Sequence, residues 1–273
     1  MSNSIISIIN QKGGVGKTTT VVNLATALAE MGKKILVIDL DPQGNATTGL
    51  GRSNSEGEKN IYNLLIGRSD PKSTIQKSCV DNLDIIGSNV NLSGLEVETA
   101  NDPKRAFLLK KILHENKEVF SVYENIFIDC PPSLSLLTII SLVVAEELVV
   151  PLQTEFFALE GISQLVKTIE RIKVNLNPKL SIRGILLTMF DKRNKLSSQV
   201  DEEARKYFKE KVYRTVIPRN VRLSEAPSHG LPCLLYDKSC LGSKSYLNLA
   251  KEFIEQNNNI WGILCLKISK KKG

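Results

Sequence analysis

The sequence predicts an α/β fold: a doubly wound, mostly parallel sheet with helices on both faces. Three observations carry that prediction. Short β-branched runs alternate with segments of helical periodicity along nearly the whole chain. Runs such as ILVID and ENIFID are apolar at almost every position, so they offer water no polar face and suit strands covered on both sides. At 273 residues the chain fits one large core, because single cores grow to about 250–300 residues before dividing.

The elements follow in order. A strand from Ile5 to Ile9 runs directly into a glycine-rich loop, and apolar residues at helical spacing continue from Thr18 to Met31. Ile35 to Ile38 forms the second strand. Between Leu50 and Asp81 lies a polar, Gly- and Ser-containing stretch, read as an insertion at the sheet edge with weak helical signal near Ile61 to Ile66. Leu83 to Ile86 is the third strand, followed by a helix from Pro103 to Val119. Asn125 to Asp129 and Glu147 to Pro151 flank a helix from Ser133 to Ala145. A helix from Leu159 to Asn175 leads to the strand from Ile182 to Thr188, and one from Ser197 to Glu210 to a last strand from Tyr213 to Ile217. A final helix spans Leu241 to Gln256. Residues 1–257 are expected to form a single domain, and 258–273 an apolar and then Lys-rich tail.

Composition excludes several classes. Apolar residues make up 42% and charged residues 24%, so a sizeable core is possible and disorder does not dominate. Five scattered cysteines, with no CxxC spacing, exclude a metal-binding ribbon and fit a reducing cytoplasm. The N-terminus has no basic leader, so no signal peptide is expected. No stretch reaches the roughly 20 apolar residues that span a bilayer. The formal charge is +7, but Lys267, Lys270, Lys271 and Lys272 supply four of those charges. Nucleic-acid binding would therefore need a local basic patch.

The strongest motif is IISIINQKGGVGKTTT, a strand followed by Lys12, Gly13, Gly14, Val15, Gly16, Lys17 and Thr18 at a strand-to-helix turn. Glycines let backbone amides curl around phosphate oxygens, and the helix N-terminus adds partial positive charge. Lys17 neutralises the β and γ phosphates and the Thr18 hydroxyl ligates Mg²⁺, with Thr19 beside it. Position 11 is Gln where the usual loop begins with Gly, and a second lysine, Lys12, stands at the loop's start. Two carboxylates, Asp39 and Asp41, follow the second strand at its carboxyl end, where ligands bind in such sheets. NIFIDCPP ends another apolar strand in Asp129, the Walker B arrangement.

KGGVGKT with its leading lysine resembles the deviant Walker A signature of the ParA and MinD superfamily of P-loop ATPases. The resemblance implies ATP and Mg²⁺ as cofactors, with Lys12 contacting phosphate across a dimer interface. It further implies that Asp39 and Asp129 assist the Mg²⁺ shell and that Asp41 positions the attacking water. Pro218 and Asn220, together with the Thr188–Asp191 region, would wall the adenine. DPQGN with PRNVRLSEAPSHGLP is similar to chromosomal ParA proteins of the Soj type, over Ile5 to about Gln256. That similarity implies a slow, partner-stimulated ATPase in chromosome or plasmid partition, cytoplasmic and nucleoid-associated. It would form an ATP-dependent homodimer that binds double-stranded DNA without sequence preference through Arg193 and Arg222, with Lys192, Lys195 and Arg219 beside them. A ParB-like centromere-binding protein would stimulate hydrolysis and so release the DNA.

Two other readings compete. A MinD-like positioning ATPase would hold a membrane through the tail, where Trp261 and the terminal lysines could meet anionic lipid. That segment is apolar nearly all round, so a helix there would lack a distinct polar face. An iron–sulfur reductase of the same superfamily would need two suitably placed cysteines per subunit, and only Cys130 qualifies.

Overall fold

The computed structural model describes residues 3–53, 57, 59–155 and 158–269. Seven strands form one sheet: β1 Ser4–Ile8, β2 Ile35–Asp39, β3 Gln76–Lys77, β4 Leu83–Ile86, β5 Asn125–Asp129, β6 Glu147–Gln153 and β7 Ser181–Thr188. Their order is β3-β4-β2-β5-β1-β6-β7, parallel throughout except for the short edge strand β3. Every residue of β2 and β5 is buried, as their unbroken apolar runs require.

Helices cover both faces. On one side α1, Lys17–Glu30, and the helix Leu241–Ser269 pack against each other, and Phe253 of the latter meets the sheet directly at Phe127, in one cluster with Tyr246. On the other side the helices Leu108–Glu115 and Leu136–Val144 pack on Ile38, Ile126 and Ile128. A third cluster joins β6 and β7 to the helices Ala158–Asn175 and Lys195–Phe208. The polar stretch after Leu50 does sit at the sheet edge: it carries the helices Ile61–Leu65 and Pro71–Thr74 and supplies β3.

Three expectations are corrected. Tyr213 to Ile217 is not a strand: its backbone meets β7 at two bonds, from Tyr213 N–H to Ile185 and Ile217 N–H to Leu187, beside an isolated bridge between Val212 and Ile185. The cause is Glu252, whose carboxylate accepts the Arg214 amide at 2.7 Å and the Thr215 amide at 2.9 Å. The expected helix from Pro103 to Val119 is broken into a 3₁₀ turn at Arg105–Phe107 and helices Leu108–Glu115 and Lys117–Phe120. Asp102 draws the Lys104 amide into a turn at 2.8 Å, and at the break Asn116 turns its side-chain amide back onto the Ile112 carbonyl at 3.0 Å. The last helix does not stop at Gln256 but runs on to Ser269. The tail's side chains and residues 270–273 lie outside the described residues, and the lipid-binding reading lies there with them. Among the described residues no helix is long and apolar enough to cross a membrane.

Candidate functional site

Strand register assembles the site. In the row β2-β5-β1, Asp39 pairs with Asp129, and Asp129 pairs in turn with Ile8, the last residue of β1. Neighbouring strands lie about 4.8 Å apart, so the two carboxylates leave the sheet side by side where the loop after Ile8 begins.

That loop turns through Gly14 at φ +73° and Gly16 at φ +89°, conformations that side chains with a Cβ rarely adopt. Gly16 precedes α1 without a side-chain cap, and the first turn of α1 carries no acidic residue. Its leading amides therefore point toward an open, anion-favouring end. Thr18 and Thr19 lie in that turn. Asn10 fixes the loop's entry: its side-chain amide donates to the Pro151 carbonyl at 2.7 Å, and its oxygen accepts the Lys12 amide at 3.0 Å. Lys17 is buried and donates to the Lys12 carbonyl at 3.0 Å. Burial lowers its pKa, and the charges of Asp129, Cys130 and Asp41 oppose that shift.

The carboxylates differ in their surroundings. Asp39 accepts the Asp41 amide on Oδ1 at 3.1 Å; on Oδ2 it accepts the Thr47 amide at 2.9 Å and the Thr47 hydroxyl at 2.7 Å. Burial raises its pKa to about 6 in spite of these bonds. Thr47 belongs to α2, Asn45–Gly49, and its hydroxyl also accepts the Ser88 amide at 2.9 Å. Asp129 is fully buried, and both its oxygens lack a hydrogen-bond partner among the described residues. Burial, then the charge of Asp39, pushes its pKa well up, while the Thr18 hydroxyl acts in the opposite direction. Asp41 is buried too, and its Oδ1 accepts the Gln43 amide at 2.9 Å. A buried carboxylate left unpartnered is costly unless a cation reaches it. Asp129, with Asp39 beside it and Thr18 acting on it, therefore fits a hard divalent ion.

Lys12 is half exposed and forms an ion pair with Glu155, just beyond the end of β6. The far wall comes from β7. The Thr188 hydroxyl donates to the Val15 carbonyl at 2.9 Å, and Phe190 pairs with Pro218. Asn220 precedes the helix Val221–Glu225 without capping it, and its buried side-chain oxygen has no partner among the described residues.

The expected DNA-contacting residues, Lys192, Arg193, Arg219 and Arg222, are all exposed. Both segments that carry them follow the Phe190–Pro218 bridge, and the hydrogen bonds from Arg193, with a smaller contribution from the charge of Arg219, hold the Asp191 carboxyl below the usual range. Two of the cations are already engaged. Arg193 grips Asp191 with two bonds, at 3.1 and 3.0 Å; Arg222 meets Glu225 at 2.8 Å and Asp237 at 3.5 Å. Sequence reasoning missed Asn10, Thr47 and Glu155. Only Asn10 carried a signal, a polar residue closing an apolar strand.

Residues 3–182 match a family model described as AAA domain. The sporulation initiation inhibitor protein Soj of Bacillus subtilis (strain 168) is 51% identical over 248 residues, 91% of this chain and 97% of that protein. The chromosome partitioning protein ParA of Caulobacter vibrioides is 48% identical over 255 residues, 93% of this chain and 95% of that protein. Among solved structures, cobyrinic acid a,c-diamide synthase from Mycobacterium smegmatis with bound ADP and magnesium superposes with a TM-score of 0.82 at 29% identity, covering 94% of this chain and 96% of that one.

Proposed function

The chain belongs to the ParA/Soj family of chromosome-partitioning ATPases, and we propose that it is an ATP-controlled DNA clamp. The observation that carries this reading is the convergence of Lys17, Asp39, Asp41 and the unpartnered Asp129 on one glycine loop. In this reading Lys17 and the amides of Gly13 to Thr19 hold the phosphates of ATP. Thr18, Asp39 and Asp129 hold the magnesium ion, which when bound offsets charge on the phosphate oxygens. Asp41 orients the water that attacks the γ-phosphate. Pro218 packs on the adenine, and the free acceptor of Asn220 suits its amino group.

Lys12 supplies the switch. Released from Glu155, it reaches the nucleotide of a second copy, so association is favoured only when the triphosphate is present. One subunit offers few phosphate contacts, and non-specific DNA complexes show dissociation constants of roughly 10⁻⁴ to 10⁻⁶ M at physiological salt. Joining two patches rigidly raises avidity by on the order of 10² to 10⁴. Hydrolysis, stimulated by a ParB-like partner, then separates the copies and frees the DNA. The reading places the protein on the nucleoid.

Gel filtration of the Asp41→Ala variant with ATP, with and without duplex DNA, tests the reading. A dimer that co-elutes with DNA is expected. A chain that remains monomeric at saturating ATP would sink it.

A further inference from the structure

The two thiols of Cys233 and Cys240 lie 3.5 Å apart, sulfur to sulfur. Cys233 opens the short helix Cys233–Tyr236, and Cys240 stands immediately before the helix Leu241–Ser269. The turn between them is held by Asp237, whose carboxylate accepts the amides of Ser239 and Cys240 at 3.0 and 3.1 Å. Each thiol is positioned from outside the pair. The Cys233 amide donates to the Asn23 side chain on α1 at 2.9 Å, and the Cys240 sulfur accepts the Ser243 amide at 3.3 Å.

We propose that Cys233 and Cys240 form a redox site, a dithiol that a peroxide or a small-molecule disulfide converts reversibly to an intramolecular disulfide. The sulfurs need to approach by about 1.5 Å to reach the roughly 2.05 Å of a disulfide bond. Access is asymmetric. Cys240 is partly exposed and Cys233 is fully buried, in the wall of a cavity of about 430 Å³ that also includes Thr18, Thr19 and Asn45. Burial pushes the Cys233 thiol up to about 12, so it is not the sulfur that attacks first.

With hydrogen peroxide as oxidant, the Cys240 thiolate attacks one oxygen, the O–O bond breaks, and the products are a sulfenic acid and hydroxide. The Cys233 sulfur then attacks the Cys240 sulfur; an S–S bond forms, the S–O bond breaks, and the Cys233 proton leaves with the departing hydroxide as water. Two electrons pass from the thiols to peroxide and two waters result. In a reducing compartment the dithiol is the resting form, and thiol exchange restores it. The disulfide would close the turn that presents Asp237 to Arg222.

The test uses the full-length wild-type chain, exposed to hydrogen peroxide or oxidised glutathione, alkylated, and digested with trypsin. Lys238 lies between the two cysteines, so cleavage there leaves them on separate peptides unless a disulfide joins them. The expected result is one linked pair, Cys233 to Cys240, two hydrogens lighter than the separate peptides and fully separated by dithiothreitol. A Cys233→Ser variant that keeps its far-ultraviolet circular dichroism should carry sulfinic acid at Cys240, and Cys240→Ser should leave Cys233 unoxidised. Linkage of either sulfur to Cys79, Cys130 or Cys265 overturns the proposal. So does wild-type protein in which Cys240 is oxidised while Cys233 remains a free thiol.

Discussion

Thr47 gives both its amide and its hydroxyl to a single oxygen of Asp39, at 2.9 and 2.7 Å, while the same hydroxyl accepts the Ser88 amide. One side chain thus joins three elements at the edge of the nucleotide site. Thr47→Val removes a donor from a buried carboxylate and orphans a buried amide, which should destabilise the chain by about 1–3 kcal/mol. Thr47→Ser should restore most of it. Chemical denaturation of both variants checks this.

Asp39 titrates from a folded value near 6 against an ordinary carboxylate value of 3.8. The native state therefore binds this proton more tightly than the unfolded chain does. For this group, stability in the absence of ligand should fall as pH rises from about 4 to about 6. Mg²⁺ needs the deprotonated carboxylate, so the sign for ligand binding is the reverse. Below pH 6 the magnesium-dependent part of ATP affinity should weaken by at least about tenfold per pH unit, since Asp129, whose pKa is also raised, must lose its proton as well. Titration calorimetry at pH 5 and pH 7.5, with and without Mg²⁺, measures it.

Gly184 lies under Tyr213: a Cβ at that glycine would sit 2.4 Å from the nearest ring carbon. Tyr213 is fully buried and cannot swing into solvent. Gly184→Ala should therefore lower stability by about 1–3 kcal/mol through overpacking, with ATP binding retained at low temperature. A thermal melt combined with a nucleotide-binding assay separates the two effects.

Arg193 and Arg222 already hold carboxylates, so a DNA phosphate must displace Asp191 and Glu225. Exposed ion pairs contribute about 0–1 kcal/mol, a barrier that phosphate can overcome. Glu225→Gln should tighten DNA binding in the ATP state. Arg222→Glu should weaken it and reduce the slope of log affinity against log salt by about 0.9 for each DNA phosphate that is no longer neutralised. Neither change should move the melting temperature by more than a few degrees. Filter binding over a salt series reads the outcome.

What sequence could and could not convey divides along range of contact. β2 and β5 were legible because unbroken apolar runs have few alternatives, and the glycine loop because Gly14 and Gly16 need positive φ. Asp39 and Asp129 were legible as strand-end carboxylates. The segment from Tyr213 to Ile217 was not. Its β-branched pattern suits a strand, but two of its amides, those of Arg214 and Thr215, are taken by Glu252, 37 to 38 residues further on. Glu155 was invisible for the same reason, lying 143 residues from Lys12, and the partners of Arg193 and Arg222 were overlooked although they are local. Periodicity reports which face is buried; it does not report which side chain a distant backbone amide will choose.

The bond between the Thr188 hydroxyl and the Val15 carbonyl fastens the end of β7 to the phosphate loop. In the proposed reading, whatever tilts the base also tilts the loop. A nucleotide with an ill-fitting base would then present its terminal phosphate at the wrong angle. Discrimination between bases and sensing of phosphate number would become one measurement made by a single rigid gauge.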